Sequence, residues 1–199
     1  MKPEAAPSVK FTYEDFVNFP DDGKRHEIID GEHYVTTSPS LKHQAIVANL
    51  IVSVATYLKA NPIGFAVGSP LDVVFSELNV VEPDLQYISR ERFDVLTKQN
   101  VQGAPDLVVE ILSPGTRRTD EITKRKLYER WGVQEYWVVD PELDAVKVYR
   151  RTGDRFEKVA ELTAEQQEVL STPLLPDWSI ARRCVRFTCL ASSPPFSTR

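Results

Sequence analysis

Apolar residues recur along this chain at two intervals, one typical of helices and one typical of strands. From Ile46 to Leu58, apolar residues stand four apart, which predicts a helix with one buried face over residues 41–60. Three segments with the composition of strands follow it: GFAVGSPLDVVF, VVEPDLQYI and APDLVVEIL. Residues 117–131 are rich in charge and predict a second helix. Interleaved helices and strands indicate an α/β sheet with helices packed on its faces.

Shorter elements precede and follow this central region. FTYEDFVNFP predicts a short helix that stops at Pro20. HEIIDGEHYV predicts a β-hairpin, because Asp30-Gly31 is a turn dipeptide between two apolar-rich arms. Towards the other end, EYWVVDPEL and AVKVYRR form a hairpin-like pair, and FEKVAEL adds a strand.

The length and composition indicate one folded domain with loose ends. The chain has 199 residues, of which 42% are hydrophobic and 27% charged, as is ordinary for a globular protein. We expect a loose N-terminus over residues 1–10, a single domain over residues 11–182 and a disordered tail over residues 183–199. The tail, which includes CVRFTCLASSPPFSTR, has no amphipathic period.

Charge and hydropathy exclude some classes of protein. No apolar run approaches the roughly 20 residues that span a bilayer, and MKPEAAPSV lacks the apolar core of a secretory signal. A cytoplasmic location without membrane attachment is therefore expected. The net charge of −5 argues against a protein that coats nucleic acid through bulk electrostatics, but it allows an enzyme with a local basic strip.

Glu110 lies inside LVVEIL, an apolar run typical of a strand that is covered on both faces. An unpaired carboxylate in such a strand is costly to desolvate or stays protonated. A positive partner is therefore expected beside it, and a metal ion, a lysine or an arginine would each serve.

Asp84 follows Pro83 at the start of a predicted strand, where proline is tolerated. If this strand neighbours that of Glu110, the two carboxylates could share one hard cation, and Mg²⁺ prefers such oxygen ligands. Taken alone, Asp84 is more typical of a turn residue that precedes a strand. Asp106 repeats the Pro-Asp pattern, but at about 3.3 Å per residue it lies roughly 13 Å from Glu110. Asp106 is therefore expected at the strand start, outside the ligand set.

Helix geometry separates the two lysines of the predicted second helix. At about 100° per residue, one side of this helix carries Asp120, Lys124, Leu127, Tyr128 and Trp131. Lys126 falls on the other side, which carries charged residues. Lys124 is therefore predicted to face the apolar interior. A lysine there either has an anionic partner or extends its ammonium along the apolar surface to water, and the pattern leaves both open.

Several ordered motifs resemble the Uma-two family, a large bacterial family assigned as endonucleases within the PD-(D/E)XK, restriction-endonuclease-like superfamily. These motifs are HEIIDGE, LKHQ, EPDLQYI, GAPDLVVEILSPGT, the D-x₃-K-x₃-Y spacing of Asp120, Lys124 and Tyr128, and GVQEYWVVDPE. The resemblance runs from about residue 11 to about residue 180. It implies a mixed β-sheet flanked by helices and a Mg²⁺-dependent phosphodiesterase site, in which Mn²⁺ could replace Mg²⁺.

The resemblance assigns roles to individual residues. Asp84 matches the Asp of the family's Pro-Asp motif, and Glu110 matches its mid-strand acid. The superfamily's usual lysine lies two residues after that acid, where this chain has Leu112, and Lys124 resembles the relocated lysine of the family. Glu27 matches an acid of the first hairpin and is an additional candidate metal ligand.

Further candidates follow from the same resemblance. His43 and Gln44 match an HQ pair at the start of the first long helix, although His43 could equally be a helix-end residue. The remaining secondary candidates are Asp106, Asp120 and Tyr128.

The implied activity is metal-dependent hydrolysis of phosphodiester bonds in DNA, with Asp84, Glu110 and Lys124 as catalytic residues. DNA is preferred to RNA through the superfamily alone. One alternative is a catalytically silent module that binds nucleic acid or regulates. Another is a hydrolase of small phosphoesters, which the pI near 5.3 would suit. An exposed hairpin or edge strand could mediate a homodimer.

Overall fold

The computed structural model describes residues 9–163 and 169–181. Its α-helices are α1 (Tyr13–Phe16), α2 (Leu41–Ala60) and α3 (Arg125–Arg130). A 3₁₀ segment covers Arg90–Val95, and a π-helix over Thr119–Lys124 leads directly into α3. The strands are β1 (Arg25–Ile29), β2 (Glu32–Thr36), β3 (Gly64–Gly68), β4 (Val73–Ser76), β5 (Asn79–Val81), β6 (Leu85–Ser89), β7 (Val101–Gln102), β8 (Leu107–Ile111), β9 (Glu135–Asp140), β10 (Ala145–Thr152), β11 (Arg155–Leu162), β12 (Val169–Ser171) and β13 (Ser179–Ala181).

These strands form two larger sheets and one small hairpin. The six-stranded sheet has the order β11-β10-β9-β8-β6-β3 and is mixed, since β8 and β9 run parallel while its other pairs are antiparallel. The five-stranded sheet has the order β2-β1-β5-β4-β7, and β12 pairs with β13. The predicted α/β fold with a mixed sheet and flanking helices is confirmed. None of the helices in the described ranges is long and apolar enough to cross a membrane.

Two of the predicted strands are each divided between the two larger sheets. GFAVGSPLDVVF covers β3 and most of β4, and VVEPDLQYI covers most of β5 and β6. Each division falls at a proline, Pro70 or Pro83, because proline has no N–H for a sheet ladder. The prediction of single strands was therefore wrong at these two places, and the break before β6 brings Asp84 to the beginning of that strand.

Apolar layers cover both faces of the six-stranded sheet. One layer includes α2 and contains Leu50, Leu85, Val109 and Trp137. The other lies towards the five-stranded sheet and α3, and contains Ile29, Val73, Ile88, Val108, Tyr128 and Val138. Alternate residues of β8 enter opposite layers, as expected for a strand with a period of two. Glu110 therefore lies on the same face as Val108, in the layer that also receives α3.

The predicted first hairpin is present as β1 and β2, with Asp30 and Gly31 at positive φ in its turn. The predicted second helix is present: residues 117–130 are helical, with the π-helix leading into α3, and the helix ends one residue before the predicted end. Residues 1–8 of the predicted loose N-terminus and the whole predicted tail lie outside the described residues.

Candidate functional site

Strand register brings Asp84 and Glu110 together. In the antiparallel pair β6–β8, Leu85 stands opposite Val109, and extending this register by one residue puts Asp84, which directly precedes β6, opposite Glu110. Directly opposed residues share a sheet face, with Cβ atoms about 4.5–5.5 Å apart. The Ile111 amide donates a hydrogen bond of 2.8 Å to Asp84 Oδ2, which fixes the aspartate against β8. Both carboxylates are buried.

Lys124 lies among three carboxylates. Its Nζ is 2.8 Å from Glu27 Oε1, 3.0 Å from Glu110 Oε1 and 3.5 Å from Asp120 Oδ1. The side chain is buried and has anionic partners, so it does not extend to water. The predicted inward orientation of Lys124 is thus present, while Lys126 is exposed.

The π-helix and α3 carry the other side chains that lie on the sheet face of Glu110. Asp120 and Lys124 lie one turn apart in the π-helix, a wide helical form that is frequent at functional sites. Tyr128, in α3, donates a hydrogen bond of 2.6 Å to Glu110 Oε1. Tyr136 of β9 donates to the backbone oxygen of Asp120 at 3.0 Å and ties the π-helix to the sheet.

Asp84 is held from three directions. Arg25 Nη2 donates to Oδ1 at 2.8 Å, and His43 Nε2 lies 3.1 Å from Oδ2, which also accepts from the Ile111 amide. Ser40 caps α2 by accepting from the His43 amide, so His43 enters the site from the first turn of that helix. His43 is therefore both a helix-start residue and a contact of Asp84.

Two of the secondary candidates lie away from these contacts. Gln44 is exposed, on the side of α2 that does not contact Asp84. Asp106 accepts hydrogen bonds from the Ser89 amide at 2.7 Å and from Arg92 Nη1 at 3.2 Å, beside the beginning of β8. Its position matches the predicted place at the strand start.

Sequence reasoning missed Arg25 and Glu82. Arg25 shares a strand face with Glu27, two residues later in β1, and this spacing was a signal that could have identified it. Glu82 directly precedes the Pro-Asp motif, and its amide donates to Glu27 Oε1 at 2.9 Å. Its carboxylate lies 4.0 Å from Arg25 Nε, at the partly exposed rim of the site.

Negative charge exceeds positive charge in this site. Four buried carboxylates, here called the carboxylate cluster, belong to Glu27, Asp84, Glu110 and Asp120. Arg25 and Lys124 are the permanent cations among the described residues that contact them. If all four acids are ionised, the cluster keeps an excess of two negative charges.

The pKa values of the carboxyl groups in this site depart from their usual values, chiefly through burial. Burial raises the pKa of Glu110 to about 8, although Lys124 opposes the rise. Burial likewise raises the pKa of Asp120 to about 6 and that of Glu82 to about 7. Asp84 behaves differently, because burial is outweighed by the hydrogen bond from His43 and by the charge of Arg25, and its pKa falls to about 2.

Lys124 remains an ammonium ion in this setting. Burial alone would lower its pKa, but the carboxylates of Glu110, Glu27 and Asp120 raise the pKa above its usual value. A charged lysine held by anionic neighbours on a buried face is pre-positioned to act on a group that becomes negative.

The cluster fits a divalent cation in chemistry, but not in its present arrangement. Carboxylate oxygens with excess negative charge are what Mg²⁺ prefers. However, Lys124 Nζ occupies the point where Glu27, Glu110 and Asp120 converge. Within the described ranges, no three His, Cys, Asp or Glu residues have the spacing of a metal site. The opposed pair of Asp84 and Glu110 would form the base of such a site.

Comparison with known proteins identifies the family of this chain and its fold. A family model named Uma2, described as "Putative restriction endonuclease", matches residues 13–183. The fold is similar to the crystal structure of a "putative nuclease belonging to DUF820" from Anabaena variabilis, with a TM-score of 0.74 and 21% identity over 88% of this chain and 97% of that chain. At this identity the likeness establishes the fold. No curated protein matches the chain.

Proposed function

The chain belongs to the Uma2 family of restriction-endonuclease-like proteins, and from this premise we propose that it is a metal-dependent endonuclease that hydrolyses phosphodiester bonds in DNA. The observation that carries the proposal is the buried contact of Lys124 with Glu110, which the extended register of β6 and β8 puts opposite Asp84. An acid pair and one ammonium ion on a single sheet face match the parts that metal-assisted hydrolysis requires.

Asp84 and Glu110 are the residues that would hold Mg²⁺ or Mn²⁺, with Glu27 as an additional ligand. The bound ion would supply Lewis-acid stabilisation of phosphoryl oxygens and a more acidic water. Glu27 shares the ammonium of Lys124 with Glu110, so its carboxylate lies in the same cluster, and its strand β1 pairs with β5, which ends three residues before Asp84. With all four acids ionised, the carboxylate cluster has two more negative charges than positive ones, which a divalent ion would balance.

Lys124 would neutralise charge that develops on the phosphoryl group or orient the attacking water. Tyr128 holds Glu110 in place through its hydrogen bond to Oε1, and Asp120 shares the ammonium of Lys124. His43 holds Asp84 from the other side. In this proposal Tyr128, Asp120 and His43 support the acid pair and Lys124 without contacting the substrate themselves.

A plasmid-cleavage assay tests this proposal. We expect cleavage of supercoiled plasmid in Mg²⁺ or Mn²⁺ and none in EDTA. Glu110→Gln should reduce the rate by about 10²-fold or more, as for loss of one group that stabilises the transition state. Glu135→Gln is the matched control, because Glu135 is an equally buried glutamate that instead contacts Trp137 and Arg150. This control should retain the rate of the wild-type protein.

Other outcomes would favour other functions. Binding of duplex DNA without metal-dependent cleavage would indicate a catalytically silent module. Release of phosphate from small phosphoesters, with intact plasmid, would indicate a small-phosphoester hydrolase. A parallel assay on an RNA duplex tests the choice of DNA, and equal cleavage of both duplexes would contradict that choice.

A further inference from the structure

Arg25 differs from Lys124 in its access to solvent. β1 begins at Arg25, and its side chain points to the same face as that of Glu27. The Arg25 side chain is 19% exposed, whereas that of Lys124 is 3% exposed. Of the two permanent cations that contact the carboxylate cluster in the described chain, Arg25 is therefore the one that a molecule in solution can reach.

The Arg25 guanidinium has unused hydrogen-bond donors. Its Nη2 makes both hydrogen bonds, to Asp84 Oδ1 at 2.8 Å and to Ser69 Oγ at 3.0 Å. Its Nε is 4.0 Å from Glu82 Oε2, which is too long for a hydrogen bond. A guanidinium carries five N–H groups, so those on Nε and Nη1 form no hydrogen bond to any residue in the described ranges.

The bond between Arg25 and Asp84 competes with the proposed role of Asp84. Oδ1 of Asp84 accepts from Arg25, and Oδ2 accepts from His43 and from the Ile111 amide. A divalent ion bound to Asp84 would compete with Arg25 for Oδ1. The guanidinium stays charged at all working pH values, and its planar fork matches the geometry of a phosphate group. Released from Asp84, it would remain at the rim of the site with a phosphate-binding face.

We propose that Arg25 binds substrate: its guanidinium donates to a non-bridging oxygen of the phosphodiester group that enters the site. The inference rests on the proposed function and adds a substrate contact to it. Before substrate arrives, Asp84 holds the guanidinium in position. If Asp84 held a divalent ion, the phosphodiester would be the remaining anionic partner of Arg25.

Two variants and one control test this contact. Arg25→Gln removes the charge, and Arg25→Lys keeps the charge but removes the planar guanidinium group. Arg92→Gln is the matched control, since Arg92 also pairs with a buried aspartate of a Pro-Asp motif, Asp106, while its side chain is 33% exposed. Binding of a fluorescein-labelled DNA duplex is measured by anisotropy in Ca²⁺ at several salt concentrations, and Mn²⁺ binding without DNA by electron paramagnetic resonance.

For Arg25→Gln we expect duplex affinity to fall roughly 10- to 100-fold, as for a lost charge-assisted hydrogen bond. The slope of log affinity against log salt should become shallower by about 0.9, as for one lost phosphate contact. Mn²⁺ affinity should stay equal or rise, because Asp84 Oδ1 is freed. Arg25→Lys should show a smaller loss of affinity with the slope of the wild-type protein. Arg92→Gln should match the wild-type protein in all three measurements.

Either of two results would overturn the proposed contact between Arg25 and the phosphodiester group. One is duplex affinity and salt slope unchanged in Arg25→Gln. The other is a tenfold or larger fall in Mn²⁺ affinity, which would make Arg25 a residue that only positions Asp84. If Arg25→Gln does not fold, Arg25→Lys decides instead: duplex affinity equal to that of the wild-type protein, or a tenfold or larger fall in Mn²⁺ affinity, would overturn the contact.

The same measurements separate this inference from the proposed function. If the wild-type protein binds duplex DNA with the expected Arg25 dependence but does not cleave plasmid, the nuclease proposal fails and the contact stands. If the wild-type protein cleaves plasmid and Arg25→Gln binds duplex equally well, the contact fails and the nuclease proposal stands. A wild-type protein that neither binds nor cleaves DNA contradicts both.

Discussion

Replacing Lys124 by methionine should destabilise the protein strongly, because it leaves buried carboxylates without their cation. Methionine keeps most of the packing volume and removes the charge that lies within 3.5 Å of Glu27, Glu110 and Asp120. Removing one partner of a buried ion pair costs about 3–5 kcal/mol. Total stabilities of domains are only about 5–15 kcal/mol, so the change should be large on that scale.

The size of this loss should depend on pH. Glu110 already has its pKa raised to about 8, chiefly by burial. Without Lys124 this carboxyl should take up a proton more readily, which removes the uncompensated charge. We therefore expect the full loss of about 3–5 kcal/mol at pH 9 and a smaller one at pH 5.5, measured by urea unfolding at both pH values.

Two controls define the result. Lys126→Met changes an exposed lysine in the same segment and should alter stability by less than about 0.5 kcal/mol. Lys124→Met combined with Glu110→Gln should recover much of the loss, because fewer buried charges then lack a partner. A loss below about 1 kcal/mol at pH 9, or equal losses for Lys124 and Lys126, would refute the assignment of Lys124 as the buried counter-ion.

Three further outcomes are expected. The pKa of Glu110 rises from 4.5 to about 8 on folding, so between these pH values the folded state holds a proton that the unfolded state has lost. The metal-free protein should therefore lose stability as the pH rises from 4.5 to 8, and Mn²⁺ should raise the melting temperature more at pH 8.5 than at pH 6. A melting temperature independent of pH and Mn²⁺ would contradict this. Tyr128→Phe removes the 2.6 Å hydrogen bond to Glu110 and should lower the free energy of unfolding by about 1–3 kcal/mol, whereas an unchanged value would show that the contact with Lys124 alone satisfies Glu110 Oε1. Deleting residues from Cys184 onward, which lie outside the described residues, should leave the melting temperature nearly unchanged, and a large fall would show that this segment packs on the domain.

The local pattern of apolar and polar residues in the sequence alone determined several elements of this protein. The four-residue spacing from Ile46 to Leu58 predicted α2, and Asp30-Gly31 predicted the turn of the first hairpin. The apolar run around Glu110 predicted a strand covered on both faces. Rotation around a helix separated the inward Lys124 from the exposed Lys126. Each inference uses residues within one element, whose period of 3.6 or 2 is visible in the sequence.

Tertiary structure decided which of these residues meet. Arg25 and Asp84 are 59 positions apart, and Glu27 and the Glu82 amide are 55 apart, yet both pairs form hydrogen bonds. No local period encodes such contacts, because they depend on how strands from two sheets are ordered and in which register they pair. The sequence therefore identified a buried acid that needed a cation and an inward-facing lysine, while the fold brought Lys124 into contact with Glu110 and placed Arg25 at the open side.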